Sequence, residues 1–161
     1  MASTNNIAFT APIKPPGATT VITLEQIWNG LLLKIRSAET FVPGAIQSTK
    51  VVSESIDPST GNPVTVREVL FRETQKTVQE TVTALKPTRV EFEQPDGSKI
   101  SNVVSQGASG ELYMTYIFEW RHPGVSEAEL AALFKKEKKM SQMAVEGTIK
   151  VLRQLAEEKK L

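Results

Sequence analysis

The segment Ser126–Lys160 reads SEAELAALFKKEKKMSQMAVEGTIKVLRQLAEEKK, and its period decides the architecture. Ser126 with Glu129 three residues later forms a capping box, which opens a helix by satisfying its first free amides. Apolar residues then recur every 3.6 positions through Leu130, Leu133, Phe134, Met140, Ala144, Val151, Leu152 and Leu155. Lys135–Lys139 and the Glu157–Lys160 tail fall mostly off that face. A helix predicted over about 126–160 with so long a stripe must bury it against another surface.

Working back from this helix, His122-Pro123-Gly124 marks the point where a two-residue period gives way to the helical one. Before it, β-rich segments follow at hairpin spacing: Ser48–Ile56, Val64–Arg72, Lys76–Ala84, Thr88–Gln94, Lys99–Ser105 and Glu111–Arg121. The gaps carry turn chemistry, a polar run at Asp57–Pro63, a break at Lys86-Pro87, Pro95-Asp96-Gly97-Ser98, and Gln106–Gly110. An earlier strand, Ile7–Ile13, is stopped by Lys14-Pro15-Pro16-Gly17. Thr23 and Gln26 make a second capping box, for a helix whose apolar residues include Trp28, Leu31, Leu32 and Ile35 and which Phe41-Val42-Pro43-Gly44 ends. Strand, short helices, six antiparallel strands and a long helix is the order of the α+β helix-grip fold, a curved sheet of about seven strands wrapped around the last helix. The prediction is one domain over 1–161.

Composition narrows the function. The chain has 161 residues, 40% of them hydrophobic, and 19 basic against 18 acidic residues leave a net charge of +1. Nothing in that balance steers nucleic acid or an anionic surface. The absence of cysteine excludes disulfides, thiolate nucleophiles and cysteine-held metals, and a single histidine, His122, cannot build a multi-histidine metal site. No metal or cofactor is expected. The N-terminus lacks a signal-peptide pattern and no apolar run approaches the roughly 20 residues of a membrane span, so a cytoplasmic location is expected. Gly107-Ala108-Ser109-Gly110 lacks the lysine of a phosphate loop, and Lys135–Lys139 reads as a solvated helix face.

The runs TLEQIW (23–28), FVPG (41–44), REVLF (67–71), VEF (90–92) and LYMTY (112–116) resemble the AtaL-like family of small START-like proteins, in the polyketide-cyclase and lipid-transfer superfamily. The resemblance extends from about Ile7 to Leu155. It implies a cytosolic helix-grip protein with an internal hydrophobic cavity, of a family named for a fungal acetylaranotin cluster and often encoded beside secondary-metabolite genes. It brings no catalytic motif to carry over. The long Asp57–Pro63 and Gln106–Gly110 segments depart from the pattern, where they could shape a cavity entrance.

Candidate site residues follow from strand parity. On the last strand Met114, Tyr116, Phe118 and Trp120 share one face with Leu112, opposite Glu111, Thr115, Glu119 and Arg121, so they face inward as core or as a pocket wall. If the hairpin of Val64–Arg72 and Lys76–Ala84 closes with the three residues Glu73-Thr74-Gln75, Glu68 opposes Glu80 on a face shared with Val66, Leu70, Val78 and Val82. Two carboxylates side by side in an apolar cavity would split their pKa values and serve as acid and base. A four-residue loop would break that register, and pairing with Arg67, Arg72 or Lys76 would leave ordinary charges. Glu137, with Ser141 and Thr148 near its stripe, is a further inward candidate, and His122 could act as an acid/base at a cavity mouth. Trp28, Phe41, Phe134, Met140 and Ala144 complete the expected ligand walls.

Two functions fit these residues. One is a cofactor-independent cyclase, isomerase or dehydratase acting on a polyketide- or peptide-derived intermediate, with Glu68, Glu80, Tyr116 and His122 moving protons. The other is a non-catalytic carrier of a lipid or hydrophobic metabolite. Either takes a hydrophobic small molecule and no nucleic acid, as a monomer or homodimer.

Overall fold

The computed structural model describes residues 3–161. Its seven strands are β1 (Thr4–Pro12), β2 (Ile46–Ile56), β3 (Pro63–Phe71), β4 (Thr77–Leu85), β5 (Arg89–Glu93), β6 (Lys99–Gln106) and β7 (Leu112–Arg121). They form one antiparallel sheet in the order β1-β7-β6-β5-β4-β3-β2. Helices α1 (Leu24–Arg36) and α2 (Ala38–Phe41) lie between β1 and β2 in the chain, and α3 (Glu127–Glu157) follows β7. Both expected capping boxes are present, Thr23 with Gln26 and Ser126 with Glu129. No helix among the described residues is long and apolar enough to cross a membrane.

Alternation fixes which residues meet the helices. Asn5 and Ile7 on β1, Met114, Tyr116 and Phe118 on β7, Asn102 and Val104 on β6, Val90 and Phe92 on β5, and Glu80, Val82 and Ala84 on β4 are all buried on one face. α3 crosses the β1–β7 side of that face, while α1 and α2 reach the β2–β3 side, where Ala38, Ile46 and Val69 form a second small core. Two register shifts in β2, between Ile46 and Ser48 and between Val51 and Ser53, mark the bulges that help a sheet curl.

The buried stripe of α3 runs Glu137, Ser141, Val145, Thr148, Ile149 and Leu152. Phe134 and Met140, expected as ligand walls, are instead 38% and 39% exposed, at the margin of that stripe. Of the polar residues on this stripe, Glu137 and Thr148 bond to sheet residues, as described below, and Ser141 donates to Lys138 O of its own helix (2.7 Å).

Where α1 crosses α3, Gly30 leaves no room for a side chain: a Cβ built on it would come within 2.1 Å of Leu152 Cδ2. Leu152 is fully buried, so it can give way only by disturbing its own packing. Gly30→Val should therefore destabilise the fold by about 1–3 kcal/mol through overpacking. Gly30→Ala should lose less, because helix propensity returns up to about 1 kcal/mol. Thermal unfolding of the two variants checks this, and an unchanged Val variant would mean that the helices have slack at the crossing.

Candidate functional site

The β3–β4 hairpin closes with four residues, Arg72–Gln75, not three. Phe71 N–H donates to Lys76 O (3.0 Å), Gln75 N–H donates to Phe71 O (2.9 Å), and Gln75 sits at φ 55° in the left-handed region. The register becomes Arg67↔Glu80 and Glu68↔Gln79. One added loop residue turns every β3 side chain over. Arg67 thus points inward and is buried, whereas Glu68 and Leu70 share the outer parity of β3, and the expected Glu68/Glu80 pair does not form.

In its place stands a buried ion pair. Arg67 donates to Glu80 Oε1 from Nη2 (2.8 Å) and Nε (3.1 Å), and both side chains are 3% exposed. Gln94 Nε2 donates to the other oxygen, Oε2 (3.0 Å). Arg67 Nη1 donates to the carbonyls of Lys34 (3.0 Å) and Ile35 (2.8 Å), so it also caps the C-terminal end of α1, where a cation is favoured.

Lys34 is buried beside this pair without a carboxylate of its own. Its Nζ donates to Asn102 Oδ1 (2.8 Å) and lies 4.8 Å from the Tyr116 ring centre and 5.2 Å from that of Phe92. Arg67 approaches Phe92 to 4.8 Å as well. Burial lowers the Lys34 pKa from 10.5 to about 7, Arg67's charge adds to the lowering and Glu80's opposes it. Asn102 is 1% exposed and its Nδ2 has no acceptor among the described residues. Tyr116 donates its hydroxyl to Thr148 Oγ1 on α3 (2.7 Å), and burial raises its phenol well above the ordinary value, partly offset by that bond and by Arg67.

From Tyr116 an aromatic ladder runs along β7. Phe118 meets Tyr116 edge-on at 6.1 Å and stacks on Trp120 at 5.5 Å. At its far end His122 Nε2 lies 2.9 Å from Glu137 Oε2, and Asn5 Nδ2 donates to Glu137 Oε1 (2.7 Å). These contacts tie α3 to β1 and to the end of β7. At the opposite end of the sheet a cleft of about 260 Å³ is lined by Leu24, Thr88, Val104, Gln106, Gly110 and Leu112.

The family model for acetylaranotin biosynthesis cluster protein L, AtaL, matches residues 7–159. The chain belongs to the AtaL family. No curated protein matches this AtaL-family chain in sequence. Among solved structures, it resembles a START superfamily protein from Mycobacterium smegmatis at 8% identity and TM-score 0.65, over 93% of this chain and 98% of that one. It resembles the di-domain ARO/CYC StfQ from the steffimycin biosynthetic pathway at 7% identity and TM-score 0.62, over 97% of this chain and 52% of that one. Ara h 8.0201 is similar at 13% identity and TM-score 0.57, over 94% of this chain and 99% of that one. At these identities the likenesses bear on the fold, which is START-like.

Within this AtaL-family chain the expected residues fall into two groups. Tyr116, Met114 and Phe118 are buried on the inner face, Trp120 is partly buried beside them, and Trp28 and Phe41 lie in the same core. Ala144 packs against that core, and Val78 shares the inner parity of β4 but lies near its end, half-buried. Glu137 and Ser141 lie along α3 and His122 follows the end of β7, and His122 and Glu137, separate candidates in the sequence, are in direct contact. Sequence reasoning missed Lys34, Gln94 and Asn102, and it had Arg67 as one of three alternative partners for the glutamates, of which the structure pairs Arg67 with Glu80. For Lys34 a signal existed: it stands seven residues after Ile27 and three after Leu31, on the apolar face of α1, while Leu32 and Leu33 are exposed.

Proposed function

We propose that this chain binds a hydrophobic small molecule of secondary metabolism on the inner face of the sheet, where α1 and α3 meet it, and rearranges it by proton transfer without a cofactor. Cyclisation, isomerisation and dehydration are reactions of this kind. The observation that carries the reading is the buried Lys34–Asn102 pair, polar groups with unused hydrogen-bonding capacity set into a wall of Phe92, Tyr116 and Phe118. Buried polar groups are normally satisfied, and ligand sites are apolar surfaces with a few convergent polar groups. The biosynthetic-cluster name of the family and the ARO/CYC title of one structural relative agree with it. In this reading the cleft at Val104 and Leu112 is the entrance, and the His122–Glu137 contact is a second acid/base at the far end of the ladder.

A carrier is the second reading, and a particular observation favours it. Glu80 is held by Arg67 and Gln94, and Tyr116 by Thr148, so two of the groups expected to move protons are engaged in structural bonds. Incubating catalytic amounts of the purified protein with a lipophilic extract of a culture that does not make it, followed by chromatography and mass spectrometry, separates the two. Conversion of one compound to an isomer or dehydrated product is the expected result. Retention of an unchanged compound would leave the carrier, and neither conversion nor retention would overturn both readings.

A further inference from the structure

We propose that Lys34 and Asn102 together form a donor pair for an acidic oxygen on the ligand, a carboxylate, phenolate or enolate borne on a hydrophobic body. This rests on the inner-face binding reading above and adds the chemical class of what binds there.

The donors and acceptors around Lys34 decide the class. A lysine ammonium has three N–H donors and accepts nothing. One goes to Asn102 Oδ1, and the neighbouring surfaces are the rings of Tyr116 and Phe92. The carboxylate near enough to influence it, Glu80, is occupied on Oε1 by Arg67 and on Oε2 by Gln94. The Tyr116 hydroxyl is given to Thr148. Asn102 adds a buried amide N–H that finds no acceptor among the described residues. The buried atom left without a partner is thus the Asn102 amide N–H, the charged Lys34 beside it has N–H groups to spare, and the partner that both lack is an acceptor. A neutral carbonyl would offer an acceptor only, whereas an anionic oxygen would also supply Lys34 with a counter-charge.

Access is consistent with this. Val104, which lines the cleft, is the next inward residue after Asn102 on β6, roughly 7 Å along the strand. A planar ligand passing Val104 would bring its polar end to Asn102 first and to Lys34 next.

The proton balance is simple. Above about pH 7 Lys34 is mostly the free amine. A ligand entering as its acid transfers its O–H proton to Nζ, leaving an ammonium against an oxyanion; one entering as the anion draws that proton from solvent. For a ligand with an acidic C–H beside a carbonyl, the proton passes from carbon to Nζ. The C–H electron pair becomes the enolate, whose oxygen Asn102 Nδ2 and the new ammonium hold. The charged groups facing Lys34 are Arg67, which favours loss of its proton, and Glu80, which favours retention.

The test uses 2-naphthoate and its neutral isostere 2-naphthamide, titrated calorimetrically near pH 8 in two buffers of different ionisation enthalpy. Naphthoate is expected to bind about ten- to a hundredfold more tightly than the amide, the range of a hydrogen bond to a charged group. Close to one proton should be taken up per molecule bound. Lys34→Met should abolish both the preference and the uptake. Asn102→Asp, which gives Lys34 an internal carboxylate, should abolish them while keeping the amine. Equal binding of the two compounds, or a preference that survives in Lys34→Met, would overturn the donor pair and leave inner-face binding standing. Binding of neither probe would also overturn it, and retention of an extract compound by the same protein would then show that the broader reading survives.

Discussion

Truncating either partner of the Arg67–Glu80 pair is expected to destabilise the protein by about 3–5 kcal/mol, the range for stranding one charge of a buried pair. For a domain of this size that corresponds to a fall in Tm of roughly 6–20 °C. The two variants fail for different reasons. Glu80→Ala leaves the Arg67 guanidinium next to the Lys34 amine with no negative charge between them, and frees Gln94 Nε2 from its acceptor. Arg67→Ala leaves Glu80 bonded only by Gln94 and uncovers the Lys34 and Ile35 carbonyls at the end of α1. The double variant Arg67→Met with Glu80→Leu should recover much of the loss, because the desolvation of both charges disappears with them. Urea unfolding of the three proteins measures this. Single variants within about 1 kcal/mol of the parent would mean that the pair is solvated, since exposed pairs contribute about that much or less.

Lys34 should give the protein a stability that rises with pH across an alkaline window. In the unfolded chain its amine titrates near 10.5 and in the fold near 7, so between these values the unfolded state binds more protons. Below about pH 7 both states are protonated, and the cost of burying the cation is fully present. Through the window that cost is progressively removed, and above about pH 10.5 it is gone. The interval amounts to roughly 5 kcal/mol at about 1.4 kcal/mol per unit. Lys34→Met should therefore stabilise the fold at neutral pH, less about 1–3 kcal/mol for leaving Asn102 Oδ1 without its donor. Unfolding both proteins at several pH values between about 6 and 10 isolates this residue, since other titrating groups cancel in the difference. Parallel stability curves for parent and variant would refute the assignment.

Much of the fold was legible because local chemistry and global arrangement agree. Both capping boxes open the helices that they predict, and the alternation of β7 correctly turns Met114, Tyr116 and Phe118 inward. Glu137 and Ser141 also take the inward positions expected for them on α3. The candidate site was less legible, because it hangs on the length of one loop. Arg72-Glu73-Thr74-Gln75 contains no glycine to mark its left-handed residue, and Gln75 takes that conformation with its own Nε2 bonded to Arg72 O (2.7 Å) and Gln47 Oε1 (3.1 Å). The Gln47 contact spans 28 residues and leaves no local trace. Once the loop is miscounted, Arg67 and Glu68 exchange faces and the inward charge changes sign. Burial of Lys34 and Asn102 depends on α1 crossing β6, a meeting that no local pattern encodes.

The pairing of β1 with β7 places Asn5 against Trp120 and Ile7 against Phe118, and Asn5 also reaches Glu137 on α3. During synthesis from the N-terminus, β1 emerges well before either partner exists. The β2-to-β6 hairpins can assemble as they leave the ribosome, but the seam at β1 waits for almost all of the sequence between. Through that interval Ile7 is open to water with nothing yet made to cover it, and a chaperone binding the nascent chain would find its target there.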